Sequence, residues 1–190
     1  MSNMKNKIQK IFKESIQVKE ETLKVNLEQM IVAVKEITRA LKNRNKILFF
    51  GNGGSAADSQ HIAAEFIGRF QRERKSLPAI ALTTDTSILT ALGNDYGFDI
   101  VFARQMEGLG QKGDIAFGIS TSGNSKNVIE GIKKAKALGL KTIVLTGNDG
   151  GQLAKLADIS LIVPSKNTAR IQESHICIAH TICQLVEEQF

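Results

Sequence analysis

Aromatic residues are scarce in this 190-residue chain: there are nine phenylalanines, one tyrosine and no tryptophan. Stacking platforms for single-stranded nucleic acid are therefore few. The formal charge is +6, but the basic residues are scattered in short groups at 5–13, 42–46, 69–75 and 133–136. This balance suits a small anionic ligand better than a nucleic acid. Cysteine is almost missing too. Cys177 and Cys183 lie six apart in a helical pattern and cannot face each other, so both are expected as reduced core residues in a reducing compartment. No stretch approaches the ~18 apolar residues needed to cross a bilayer. The opening MSNMKNKIQKIFKES lacks the continuous apolar core of a leader peptide. These absences lead to the expectation of a cytoplasmic protein with no membrane and no nucleic-acid partner. A chain of this length, 42% hydrophobic, can bury a core without disulfides or structural metal.

Glycine and proline are missing from residues 5–42, where two apolar runs recur at helical spacing. The first is Ile8, Ile11, Phe12 and Ile16; the second runs from Leu27 through Ile31 and Val34 to Leu41. The spacing predicts two helices. They precede any strand, so they are not crossover helices. They form either a hairpin on the domain surface or an oligomerisation arm over residues 1–45. The breadth of the stripes favours the arm. From residue 46 to 190 the pattern alternates. KILFF, PAIALT, DIAFGIS, KTIVLT and DISLIVP are five short apolar runs, each followed by a loop and a helical stretch. Such runs fit strands buried on both faces of a five-stranded parallel sheet, the centre of an α/β domain with right-handed crossovers. Ligands of such sheets bind beyond the carboxyl ends of the strands. The loops after Phe50, Thr83, Ile119, Thr146 and Val163 are thus the candidate active loops.

Three of these loops carry chemistry. Gly51-Asn52-Gly53-Gly54-Ser55 opens a helix whose free N–H groups would face a ligand. G-N-G-G-S-A also meets a loose dinucleotide fingerprint, but the acidic residue that should follow is misplaced: Glu73 falls in a charged loop and Asp85 comes too late. No nucleotide cofactor is expected. Ser120-Thr121-Ser122-Gly123-Asn124-Ser125 precedes another helix and reads equally as a phosphate cradle or as an N-cap with a serine-rich turn. Asn94 and Asp95 sit in an expected loop, where turn chemistry is the plain alternative to a binding role.

The helix expected over 56–70 places Asp58, His61, Glu65 and Arg69 on one stripe of a mostly apolar surface. A carboxylate buried there needs a partner. It could be an i,i+4 pair with His61 and Arg69 as counter-ion, or a metal site. The last helix, in TARIQESHICIAHTICQLVEEQF, likewise carries Gln172 and His180 on one side, with His175 as a competing imidazole. His61, Glu65, Gln172 and His180 together would offer two imidazoles and two oxygen donors, a plausible set for zinc.

The segments GNGGSAADSQHIAAEFIGRF, ALTTDTSILTALGNDYGFD, GDIAFGISTSGNSKNVIEGIKKAKALG, LTGNDGG and ARIQESHICIAH resemble the phosphoheptose isomerases of the sugar-isomerase (SIS) superfamily across most of 47–190. The resemblance implies a flavodoxin-like three-layer α/β/α domain and a homotetramer with sites at subunit interfaces. It also implies one Zn2+ per site, held by His61, Glu65, Gln172 and His180. The implied reaction converts sedoheptulose 7-phosphate to D-glycero-D-manno-heptose 7-phosphate through an enediol, the first step toward the heptose of bacterial surface polysaccharide. Glu65 and His180 would be the acid/base pair. The implied substrate contacts are Asn52, Gly53 and Gly54 in the first loop, Asn94 and Asp95, Ser120, Thr121, Ser122 and Ser125 in the cradle, and Glu65 and Gln172. A non-catalytic relative that binds the replication initiator shares the fold, the arm and the ARIQE motif. It lacks the counterparts of Glu65 and His180, so the enzyme is the favoured reading.

Overall fold

The computed structural model describes residues 2–190. Its first element is a single helix, α1, running Ser2–Lys42 without a break. The two helices expected here are one, about 60 Å long at 1.5 Å per residue. The apolar stripe changes partner along it, which is why it reads as two. From Val18 onward it buries Val18, Met30, Ala33, Ile37 and Leu41, whereas Met4, Ile8, Ile11, Phe12 and Ile16 are exposed in the subunit.

The remainder alternates strand and helix: β1 (Ile47–Gly51), α2 (Gly54–Ile67), β2 (Ala79–Ala81), α3 (Thr86–Tyr96), α4 (Val101–Leu109), β3 (Ile115–Ser120), α5 (Lys126–Ala137), β4 (Lys141–Gly147), α6 (Gly151–Leu156), β5 (Ile159–Val163) and α7 (Thr168–Glu187). All five expected strands form. They pair in parallel in the order β2-β1-β3-β4-β5, the flavodoxin-like order. Residues along β1 alternate between two cores. Ile47 and Phe49 face α1, α2 and α7, and Leu48 and Phe50 face α4, α5 and α6. The result is three layers, with a phenylalanine on each face as a packing centre: Phe49 lies 5.1 Å from Phe117, and Phe50 lies 5.4 Å from Phe102. Apolar burial on this scale, ~1.5–3 kcal/mol for each large side chain, is what holds the layers together.

α1 is tied to the free edge of β5. The Asn26 carboxamide donates to Ile162 O at 2.9 Å and accepts from Ile162 N at 2.8 Å, occupying the backbone groups a sixth strand would use. Near the start of α7, Arg170 donates to Ile11 O at 2.9 Å, and the Ser15 hydroxyl donates to Glu173 at 2.6 Å.

Of the two cysteines, Cys183 is buried as expected, but Cys177 is exposed on α7; both are free thiols. No described helix is long and apolar enough to cross a membrane.

Candidate functional site

The parallel order reverses direction between β1 and β3, and the loops at their carboxyl ends therefore diverge to leave a crevice. The glycine-rich loop stands on one side of it. Gly53 has φ of +53°, which a side chain would resist, and it serves as N-cap of α2 without any side-chain cap. On the other side, Ser125 is the N-cap residue of α5, yet its hydroxyl makes no capping bond. It turns to the Ser120 hydroxyl, 2.9 Å away. The serine loop is therefore more than a capped turn: two helix amino termini, neither capped by a side chain, flank the crevice. That arrangement favours an anion.

The two loops are joined by a residue that sequence reasoning missed. Asn127, buried in the first turn of α5, exchanges two 2.8 Å hydrogen bonds with the carboxamide of Asn52. No sequence signal marks this pair, which joins positions 75 apart. Farther along the serine loop, Asn124 donates to Ser122 O at 2.9 Å and accepts from Gln152 N at 3.1 Å. Thr121 is half-buried beside them.

Asn94 and Asp95 are not in a loop. They occupy the last turn of α3, exposed, with Asn94 donating to Asp95 at 2.8 Å. Gly97, at φ +88°, is the C-cap that ends that helix after Tyr96. The segment that follows reaches the start of α5, where Asp99 and Lys126 lie 3.8 Å apart.

Helices α2 and α7 run side by side. Near the start of the pair the Gln172 carboxamide lies against Gly54, leaving no space for a Cβ there. About two turns farther along, His61 and His180 meet edge-on, their ring centroids 5.1 Å apart. His61 Nε2 is 3.1 Å from Glu65 Oε1. One ligand atom from each of His61, Glu65 and His180 can be chosen so that all lie within 4.8 Å of one another. The structure thus brings these three together and sets Gln172 at the glycine-rich end of the same helix pair.

The cluster also fits a metal on independent grounds. His180 Nε2 is buried and has no hydrogen-bond partner within the subunit. Buried polar nitrogens are rarely left so. Two imidazoles and a carboxylate are the donor types zinc takes. The competing imidazole shares an unpartnered buried nitrogen, Nδ1, but its other nitrogen is taken up inside the fold and no carboxylate stands beside it among the described candidate ligands. His175 is fully buried, and its Nε2 lies 3.0 Å from Thr146 O. Burial pushes its pKa down to about 4, against a smaller upward pull from that hydrogen bond, so it is a neutral core residue. Asp58, half-buried one turn before His61, has its pKa raised. Burial outweighs the opposing attraction of His61 and His180.

Arg69 does not balance Glu65. The helix ends at Ile67, and Arg69 pairs instead with Glu73 at 2.9 Å on the surface. The following glycine, Gly68, is the stop signal. α2 is also less enclosed than its apolar content suggests: Ala57, Ala64 and Ile67 are exposed in the subunit.

Comparisons with known proteins bear on the family and the fold. The SIS domain family matches residues 10–147. The phosphoheptose isomerase of Aquifex aeolicus is 58% identical over 185 residues, covering 97% of each chain. The solved structure of the phosphoheptose isomerase of Neisseria gonorrhoeae superposes with a TM-score of 0.92 at 48% identity, covering 97% of this chain and 99% of the other. That of Francisella tularensis gives 0.94 at 41% identity, covering 99% and 100%. These relatives carry the isomerase name, and the initiator-binding alternative is not favoured. A five-stranded parallel sheet in flavodoxin-like order, a match to the SIS domain and more than half of all residues shared with an isomerase along nearly the whole length place this chain in the phosphoheptose isomerase family.

Proposed function

We propose that the protein is the aldose–ketose isomerase that converts sedoheptulose 7-phosphate to D-glycero-D-manno-heptose 7-phosphate, acting in the cytoplasm at the entry to bacterial surface heptose synthesis. The observation that carries the reading is the meeting of His61, Glu65 and His180 beside a crevice with two uncapped helix amino termini. The chemistry has two parts. The phosphate settles between the glycine-rich loop and Ser120–Ser125, where backbone N–H groups and hydroxyls can donate to it. This leaves the C1–C2 end of the sugar toward the triad. Isomerisation takes a proton from one carbon and returns one to its neighbour through an enediol. A carboxylate and an imidazole are suited to this near neutral pH.

Glu65, half-buried on α2, is the group placed to take the carbon-bound proton. His180, on α7, is placed to move the proton between the oxygens. His61, Glu65 and His180 are the residues that would hold a zinc ion, and Gln172 would be the fourth donor once its carboxamide turns from Gly54 toward them. When bound it would act as a Lewis acid, polarising the carbonyl and stabilising negative charge on its oxygen. Asn52, Gly53, Gly54, Asn94 and Asp95 serve as further substrate contacts.

Assembly is part of the proposal. α3 buries none of its residues in the subunit, and the first third of α1 exposes Met4, Ile8, Phe12 and Ile16. A homotetramer with sites at subunit interfaces would cover both. The deciding experiment incubates purified protein with sedoheptulose 7-phosphate, with and without chelator, and follows the aldose by NMR. Conversion that chelator stops and added zinc restores is expected. An absence of conversion in zinc-replete protein overturns the proposal.

A further inference from the structure

The loop QRERKS, between α2 and β2, reads in the sequence as a plain polar connection. In the fold it holds a buried ion pair. The side chains of Arg74 and Glu187 are 4% and 2% exposed, with Nε and Oε1 3.3 Å apart. Their contacts radiate to both helices of the triad. Arg74 donates through one guanidinium nitrogen to Glu65 O at 2.8 Å, and through the other to Phe66 O at 2.8 Å and Gly68 O at 3.0 Å. It thereby caps the carboxyl end of α2, the end at which a cation is favoured. Glu187, at the last residue of α7, accepts from the N–H groups of Phe70, Gln71 and Arg72 at 2.7–2.9 Å. A carboxylate at that end of a helix is disfavoured by the dipole. Burial would raise its pKa further, yet the three N–H groups and Arg74 bring it below the ordinary value. The grip has a direct consequence at the site: the Phe70 ring, whose backbone Glu187 holds, lies 5.2 Å from the His180 ring on α7.

We infer that Arg74 and Glu187 are positioning residues for the triad, a buried clamp that fixes α2 against α7 and sets Phe70 as the wall holding the His180 imidazole toward His61 and Glu65. The inference rests on the proposed role of that triad. A positioning pair of this kind typically changes metal affinity or activity 10–100-fold when lost.

The test uses full-length protein carrying Glu187→Gln, Arg74→Lys or Phe70→Leu. Asp158→Asn is the control, a carboxylate that accepts from Thr142 at the opposite end of the sheet, away from the site. Three readouts are taken below the unfolding temperature: zinc affinity by chelator competition, kcat and KM for the ketose phosphate, and imidazole shifts of His61 and His180 in metal-free protein. Glu187→Gln should weaken zinc roughly tenfold or more, lower kcat with KM changed less than about threefold, and move the His180 resonances. Arg74→Lys, which keeps the charge but not the fork, should fall between it and wild type. Asp158→Asn should lower thermal stability alone. Should Glu187→Gln fail to fold, Arg74→Lys carries the test of the pair, and Phe70→Leu, which spares the pair and removes the wall, tests how the pair reaches His180. Unchanged His180 shifts and wild-type zinc affinity in the folded variants overturn the inference, whatever their stability. If wild-type protein itself neither binds zinc nor turns over while the His180 shifts still move, the assigned reaction fails and the clamp stands.

Discussion

At the amino-terminal end of the sheet, the carboxylates have all the partners they need. Asp114 is buried and accepts from Lys46 N at 3.0 Å, Gln111 N at 2.9 Å and the Lys46 ammonium at 2.6 Å, stitching together the loops that lead into β1 and β3. Asp158 does the same for β4, accepting from the N–H and hydroxyl of Thr142 at 2.9 and 2.8 Å. At the carboxyl end and along the α2–α7 pair that descends from it, polar groups are left with capacity to spare. His180 Nε2 is buried without a partner, two helix amino termini have no side-chain cap, and Asn94 and Asp95 bond only to each other among protein side chains. The same chemical types thus serve opposite ends. Where hydrogen-bonding capacity is filled, a carboxylate contributes stability; where it is left open, the fold forgoes stability and gains a place for a ligand.

The sharpest way to test that division is to change one carboxylate from each end. Glu65→Gln keeps size and shape but removes the proposed base. We expect kcat/KM to fall by about a thousandfold or more, within the span general acid–base catalysis supplies, with thermal stability almost unaltered. Isomerase assay and calorimetry on the same preparation check both halves. Asp114→Ala should do the reverse. It leaves two N–H groups and the Lys46 ammonium without their acceptor, a loss of about 3 kcal/mol, or roughly 6–12 °C in Tm for a chain of this size. kcat at 25 °C should stay at the wild-type value. The pH dependence follows from the direction of the shift. Burial raises the Asp114 pKa, but the Lys46, Gln111 and Asn45 hydrogen bonds outweigh it and bring it below the ordinary carboxyl value. A carboxyl with a depressed folded pKa contributes fully above its unfolded pKa of about 4 and loses that contribution as pH falls through the folded value. The stability gap between wild type and Asp114→Ala, measured by urea unfolding, should therefore be full at pH 7 and narrow below about pH 4. A gap that persists unchanged at pH 3 would contradict the account.

What could be read from the sequence follows the same line. The strands were legible because a run buried on both faces is apolar throughout, as in ILFFG or IAFGIS. His61, Glu65 and His180 stood out because ionisable side chains on largely apolar helices need an explanation. The unity of α1 was hidden although no glycine or proline interrupts it, since its apolar stripe has a partner in the subunit only from about Val18 onward. Asn94 and Asp95 looked like turn residues because their composition suits a turn, but they close a helix. Asn127, Arg74 and Glu187 left no local trace. Their partners lie 75, 113 and up to 117 positions away, and nothing in the neighbouring residues encodes such contacts.

Asn127 allows a finer test of the open end. Its carboxamide holds that of Asn52, a proposed substrate contact, through two 2.8 Å bonds. Asn127→Leu keeps the volume and frees the Asn52 side chain to rotate. We expect KM for the ketose phosphate to rise about tenfold, the worth of one or two net hydrogen bonds, with kcat lowered less than about threefold. Initial-rate kinetics check it. An unchanged KM would mean that Asn52 is held by its own loop or does not touch the substrate.

The smallest expected effect concerns α3, the element with the weakest hold on the subunit. It buries no residue, and its one side-chain cap is Asp85, which accepts from Ile88 N at 2.9 Å. A helix held to the core only by the half-buried Leu89 and Leu92 owes much of its stability to its ends. Removing the cap in Asp85→Ala costs about 1 kcal/mol. In a well-buried helix that loss would register in global unfolding. Here it should register locally, as faster amide hydrogen exchange across 86–96 with Tm lowered by less than about 3 °C, because the rest of the fold does not depend on α3 staying closed. Asn94 and Asp95 lie in the last turn of α3, so the same variant should raise KM modestly and leave kcat in place. Exchange that slows as protein concentration rises would show that other copies cover this helix. If instead the variant lowers Tm as much as Asp114→Ala does, α3 belongs with the closed end of the molecule, and the division between the two ends of the sheet does not hold.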